Sequence, residues 1–177
     1  MANFQVPSRG EVSANNQEIF DNFKKGLGMV PNLYAVMALS DTALGNYLSF
    51  QNAKTTFSNK EKQAVNLVVS QVNECHYCQS AHTLLGTMNG LTEEQTIEIR
   101  NGNASFDNKL NALVILAKEI TAKKGFASAE SIDAFINAGY SEGQVIELVF
   151  LVAEKTAMNY VQAIAKVEID FPLAKAI

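Results

Sequence analysis

The chain has 177 residues, 47% of them apolar and 18% charged, with a formal net charge of −4, enough for one domain with its own core. Lys and Arg are scattered, which argues against nucleic acid or an anionic membrane surface as partner, and no apolar run approaches the roughly 20 residues of a membrane span. The opening residues MANFQVPSRG hold no apolar signal-peptide core, so the expected compartment is the cytoplasm.

The three prolines stand at 7, 31 and 172, and nothing between 32 and 170 forbids long helices. Ile19, Phe20, Phe23 and Leu27 recur at helical spacing, and Leu44, Tyr47 and Leu48 do so again. Ser58 followed by Glu61 is a capping box that opens a helix over 58–72. Asn73 then reads as the N-cap of a helix beginning near Glu74 or Cys75. Thr92 with Gln95, Asp107, and Ser141 with Gln144 mark further helix starts. Leu110, Leu113, Val114, Ala117 and Ile120 form the stripe after Asp107, and Gly90 and Gly139 stand where helices should stop. Segment 142–165 is apolar on more than one face. Val145, Ile146, Leu148, Val149, Phe150, Leu151 and Val152 cannot share one stripe, so the helix is either central or turns one face to another subunit. No alternating pattern exceeds a few residues. The expected fold is all-α, a single domain over 1–177 with eight or nine helices.

Sliding the chain by 49 residues lays NGLTEEQTIEI (89–99) on AGYSEGQVIEL (138–148) and SNKEKQAVNLVV (58–69) on DNKLNALVILAK (107–118). This suggests an internal repeat of about 58–106 and 107–155. At that offset Cys75, Cys78 and His82 fall on Lys124, Ala127 and Ser131. A second copy without the cluster implies that the fold does not require it.

That cluster is NECHYCQSAH, residues 73–82, which holds both cysteines and both histidines of the chain. On a helix, Cys75, Cys78 and His82 stand at i, i+3 and i+7, on one face. His82 lies one turn beyond Cys78, close enough to exchange a proton directly or through water. A helix N-terminus favours a thiolate, and a C-x-x-C pair closes a disulfide once one sulfur is oxidised. Thiolate, proton carrier and resolving thiol are the parts of a dithiol peroxidase or of a disulfide exchanger. Two further readings stay open: small buried hydrophobes, or zinc ligands in a helical oligomer. Zinc would need a fourth ligand from a carboxylate, water or a neighbouring subunit. His76 falls off the stripe and reads as a solvated or partner-facing residue; Tyr77 reads as packing.

These residues resemble the E/G-C-x-x-C-x-x-x-H signature of the alkylhydroperoxidase AhpD-like family, within the carboxymuconolactone decarboxylase superfamily. GMVPNLYAVMALSDTALGNYL (28–48) is similar to that family's N-terminal helices, and NYVQAIAKVEIDFP (159–172) to the C-terminal segment of its peroxidase-related branch. The resemblance implies an all-α fold with internal repetition, a homo-trimer or homo-hexamer, and thiol-dependent reduction of hydroperoxides without a bound cofactor or metal. It implies Cys78 as the attacking thiol, Cys75 as the resolving thiol, His82 in the proton relay, and a thiol reductant that can be a lipoyl-bearing protein. The family's relay often includes a Glu twelve residues before the first motif cysteine, where this chain has Gln63. Glu61 lies about 200° away round the helix, and Glu74 is a candidate stand-in. The branch tends to have Asn-His where this chain has Gln162 and Ala163. The decarboxylase members typically lack the cysteine pair, which disfavours decarboxylation.

Overall fold

The computed structural model describes residues 4–177. Among them are nine α-helices, one short 3-10 helix and no strand. In order these are a 3-10 turn Arg9–Glu11, α1 Ala14–Leu27, α2 Asn32–Met37, α3 Ala43–Gln51, α4 Asn59–Val72, α5 His76–Met88, α6 Glu93–Asn101, α7 Asn108–Ala122, α8 Ala129–Asn137 and α9 Glu142–Ala165. They fall into two compact units, one running to Ala53 and including Tyr160–Asp170, the other Lys54–Asn159 with Phe171–Ile177.

The first unit packs α1–α3 around Phe20, Ala35, Ala38 and Leu44, with Phe23 and Tyr34 in ring contact at 4.8 Å. Buried Asn16 donates to the carbonyls of Ala38 and Ser40 at 3.1 and 3.0 Å. It thereby satisfies backbone acceptors exposed where α2 ends.

The second unit holds every residue of the C-x-x-C cluster. α4 is its centre: it packs against α5, α6 and α7, and α7 packs on α8. Seven consecutive residues of α4, Ala64 to Ser70, are buried, which fits a helix enclosed on several sides. The local signals act where the sequence puts them. Ser58–Glu61 and Thr92–Gln95 form reciprocal capping boxes, and Ser141 and Gln144 exchange the same two bonds. Asp107 accepts from Lys109 N and Leu110 N. Gly90 and Gly139 take φ of 89° and 97°, the left-handed turn that ends a helix. The starts of α4 and α7, and of α6 and α9, are each separated by the same 49 residues. The helices between them differ, thirteen residues in α5 against nine in α8.

Aromatic packing fixes the end of α8. Phe135 stacks on Tyr140 at 4.2 Å, and the Tyr140 hydroxyl donates to Glu61 Oε1 at 2.7 Å. A buried tyrosine keeps a partner for its hydroxyl, and here that partner is a capping-box carboxylate of α4. The inward stripe of α9 in this unit is Leu148, Val152, Lys155 and Asn159, all buried, while Ile146, Val149 and Phe150 are exposed.

Candidate active site

The site is built at the joint between α4 and α5. Past the cap residue Asn73, two backbone N–H groups turn back: Glu74 N donates to Gln71 O at 3.1 Å and Cys75 N to Ser70 O at 2.9 Å. This is a Schellman turn, which calls for a left-handed residue after the cap. Glu74 occupies that position with φ 55°, a conformation that costs a non-glycine residue about 1–2 kcal/mol. Asn73 therefore closes α4 and does not open α5, contrary to the expectation from spacing. Its side chain is drawn towards α9, with Nδ2 donating to Asn159 Oδ1 at 2.9 Å and to Thr156 Oγ1 at 3.3 Å.

The N-cap of α5 is instead Cys75, whose sulfur accepts from the backbone N–H of Cys78 at 3.3 Å. A sulfur in this place meets free N–H groups and the positive end of the helix dipole. The two sulfurs lie 2.6 Å apart, both are free thiols, and both are buried, at 4% and 2% exposure. His82 follows Cys78 by one turn and is 7% exposed. Its Nδ1 sits 2.8 Å from Gln63 Oε1 on α4. An amide oxygen only accepts, so Nδ1 carries the proton and Nε2 is left as a bare base.

The structure thus brings together Cys75, Cys78, His82 and Gln63. Glu61 is engaged elsewhere, holding Ser58 and Tyr140. Glu74 is exposed, and its clearest role is in the backbone turn. His76 is exposed, with Nδ1 3.3 Å from Gln79 Oε1, and Tyr77 packs edge-on to Phe171 at 5.6 Å. Among the described residues, no three or more His, Cys, Asp and Glu side chains gather into a group able to hold a metal ion.

Three buried polar residues escaped the sequence reading. Lys155, next to Glu154, lies inside α9 at 2% exposure, with 3.8 Å between Nζ and the Glu154 carboxylate. Asn159, one turn further, donates from Nδ2 to Ser70 Oγ at 3.3 Å. Arg100 on α6 is 4% exposed and reaches Gln71, Gln79 and the carbonyl of Lys175 at 2.9, 3.1 and 2.7 Å. Together with the bond from Ala174 N to Ser80 Oγ at 3.1 Å, it ties the C-terminal residues to α5 on the turn after the cysteines. A signal for Lys155 was present: 148, 152, 155 and 159 share one helical register, and an ammonium in a buried register marks a special environment.

The two thiols are electrostatically unequal. The hydrogen bond from Cys78 lowers the Cys75 thiol, burial opposes this, and the Cys78 N–H, Asn159 and the Lys155 charge lower it further. Cys78 is pushed well up, first by its bond to Cys75 and then by burial, with Lys155 and Asn159 acting the other way. Burial, and then Lys155, hold His82 well below the usual imidazole range. Both shifts favour the first negative charge of the reduced pair on Cys75, and burial favours the neutral form of His82. Helix spacing, which sets His82 one turn from Cys78 and two from Cys75, favours proton removal from Cys78 instead.

Residues 41–119 match the sequence model of the Carboxymuconolactone decarboxylase family. The chain matches none of the curated proteins. Among solved structures, it is similar to an uncharacterised peroxidase-related protein with an alkylhydroperoxidase AhpD core from Ralstonia eutropha JMP134. That likeness has a TM-score of 0.86 at 13% identity over 94% of this chain and 91% of the other. It is also similar to an uncharacterised peroxidase-related protein from Silicibacter sp. TM1040, with TM-score 0.82, 17% identity, and coverage of 94% and 90%. A third similar structure is a variant of the debrominase Bmp8 in complex with 2,3,4-tribromopyrrole, with TM-score 0.80, 16% identity, and coverage of 96% and 92%. Over 41–119 the sequence is thus similar to the Carboxymuconolactone decarboxylase family, and the all-helical fold is that of structures with an AhpD core.

Proposed function

We propose that this chain is a dithiol hydroperoxide reductase. The observation that carries the reading is the buried pair of free thiols 2.6 Å apart at a helix N-terminus, one turn from a neutral imidazole. One sulfur attacks the terminal oxygen of a hydroperoxide, the O–O bond breaks, and the leaving alkoxide takes a proton to become an alcohol. The sulfur is left as a sulfenic acid. The second sulfur displaces water from it and closes the disulfide, and an external thiol reductant, for which a lipoyl-bearing protein is a candidate, restores both thiols.

The attacking role falls to Cys78. Cys75 lies 2.6 Å from Cys78 and His82 one helical turn beyond it, so ionised Cys75 and neutral His82 are the candidate acceptors for the Cys78 proton. Charge on Cys78 is the less populated arrangement, yet intrinsic nucleophilicity rises with thiol pKa. A dithiol that must be re-reduced in each cycle suits a reducing compartment such as the cytoplasm. No helix among the described residues is long and apolar enough to cross a membrane.

The test is a thiol count on reduced protein before and after one equivalent of cumene hydroperoxide or hydrogen peroxide, with 2,3,4-tribromopyrrole as a further arm. Loss of both thiols with release of the alcohol is expected. Thiols that survive peroxide but exchange with a disulfide probe would make the chain a general disulfide oxidoreductase without peroxide preference. Thiols inert to all of these would leave a non-catalytic helical module.

The assembly proposed is a homo-trimer or homo-hexamer. On α9, Ile146, Val149 and Phe150 are 60%, 44% and 59% exposed, a run of apolar surface of the kind that contacts between copies cover. Sedimentation should report a mass several times 19.3 kDa; a species at 19.3 kDa would refute the assembly.

A further inference from the structure

α9 brings a buried lysine into the unit that holds the thiol pair. Lys155 lies on the same inward register as Leu148, Val152 and Asn159, and its side chain is buried to 2% exposure. The position is held by a small polar network: Asn73 Nδ2 donates to Asn159 Oδ1 at 2.9 Å, and Asn159 Nδ2 donates to Ser70 Oγ at 3.3 Å. Asn73 and Ser70 belong to the turn whose bonds also fix Cys75, since Cys75 N donates to Ser70 O at 2.9 Å. One turn of α9 thus sets both the sulfur turn and the ammonium. An ammonium kept out of water is costly unless negative charge answers it. The Glu154 carboxylate at 3.8 Å is one answer. The Lys155 charge also bears on Cys75, Cys78 and His82, favouring charge on the sulfurs and opposing it on the imidazole.

We propose that Lys155 is the counter-cation of the reduced Cys75–Cys78 pair, a positioning residue that keeps one sulfur charged inside a buried site and keeps His82 neutral as a base. The helix dipole alone supplies about half a charge at the N-terminus, and burial works against any thiolate there. Lys155 supplies a whole charge where water is excluded. The proposal deepens the dithiol reading and rests on it only for its catalytic consequence.

The charged and titrating side chains bearing on the pair are Cys75, Cys78 and His82 at α5, and Lys155 with Glu154 on α9. The experiment follows the ultraviolet absorbance of the thiolate against pH in the fully reduced chain. The tyrosine background is subtracted with the Cys75→Ser/Cys78→Ser double variant. These two are the only cysteines of the chain, so the signal belongs to the pair. Lys155→Met should move the first thiolate transition up by about 1–3 pH units, the range expected for loss of an adjacent opposite charge. For every pH unit that the transition rises, the thiolate fraction at a fixed pH below it falls about tenfold. Lys155→Arg, which keeps the charge, should restore most of the original position. Superimposable curves for wild type and a folded Lys155→Met would overturn the proposal. If Lys155→Met does not fold, Glu154→Gln decides: removing the competing carboxylate should move the transition down, and a curve that stays put or moves up overturns the proposal. Because the readout is a titration and not turnover, a chain that fails to reduce peroxides can still pass it, and a peroxidase can still fail it.

Discussion

Cys78→Ser is expected to reduce hydroperoxide turnover by at least about a thousandfold, the scale on which removal of a nucleophile acts. Cys75→Ser is expected to leave a single round of reaction that stops at a sulfenic acid. The first expectation follows from the covalent step, since serine at a buried position with no strong base has no comparable nucleophilicity. The second follows from the division of roles: without Cys75 there is no sulfur 2.6 Å away to displace water. The surviving reaction should also slow, because the sulfur 2.6 Å from Cys78 that could take its proton is gone. Mass spectrometry after one equivalent of peroxide reads this directly, as a gain of one oxygen in Cys75→Ser and an unchanged mass in Cys78→Ser. The reverse pattern would assign the attack to Cys75, the sulfur with the lower pKa and the bond from the Cys78 N–H.

Gln63→Glu is expected to raise turnover at pH 7 by about tenfold and to flatten its rise with pH, a modest share of what a complete general acid–base relay contributes. Gln63 Oε1 already accepts from His82 Nδ1 at 2.8 Å, so the imidazole is oriented in wild type. What the amide cannot do is answer the positive charge when Nε2 takes a proton. With burial and Lys155 both acting against imidazolium, His82 is a weak base, and the rate should climb with pH as the thiols ionise. A carboxylate at the same distance would favour imidazolium and make Nε2 a better acceptor.

The same substitution carries a stability signature of definite sign. In wild type the folded chain holds His82 neutral below its unfolded value of about 6.5. The unfolded state then binds more protons, and stability falls as pH drops from about 6.5 towards the depressed folded value. A carboxylate at position 63 raises the His82 pKa and should weaken or reverse that fall, measurable as denaturant midpoints at pH 5 and 7. Activity lost on substitution, with the fold intact, would show that the amide itself holds the geometry of the site.

The thiol pair, its imidazole and the all-helical class were legible in the chain because they depend on local spacing. Ser58–Glu61, Thr92–Gln95 and Asp107 announce helix starts through contacts within three residues, and the structure forms each of them. The i+4 relation of Cys78 and His82 is likewise a property of one helix. Gln63 was singled out only through the family resemblance, as the residue where the relay often has a Glu, and tertiary packing of α4 on α5 sets it 2.8 Å from His82. The cap of α5 was not legible because Asn73 has the chemistry of an N-cap, and only the fold supplied Asn159 and Thr156 as competing partners for its side chain. Which sulfur carries the first charge was beyond any spacing rule. It depends on the Schellman turn at Glu74, on burial, and on a lysine 80 residues further along from Cys75. Sequence alone singled out the groups proposed to do the chemistry, since those lie within one or two helical turns. Tertiary structure decided their charge states, because desolvation and Coulomb interactions depend on distance through space and on exclusion of water, and α9 reaches the cysteines only in the folded chain.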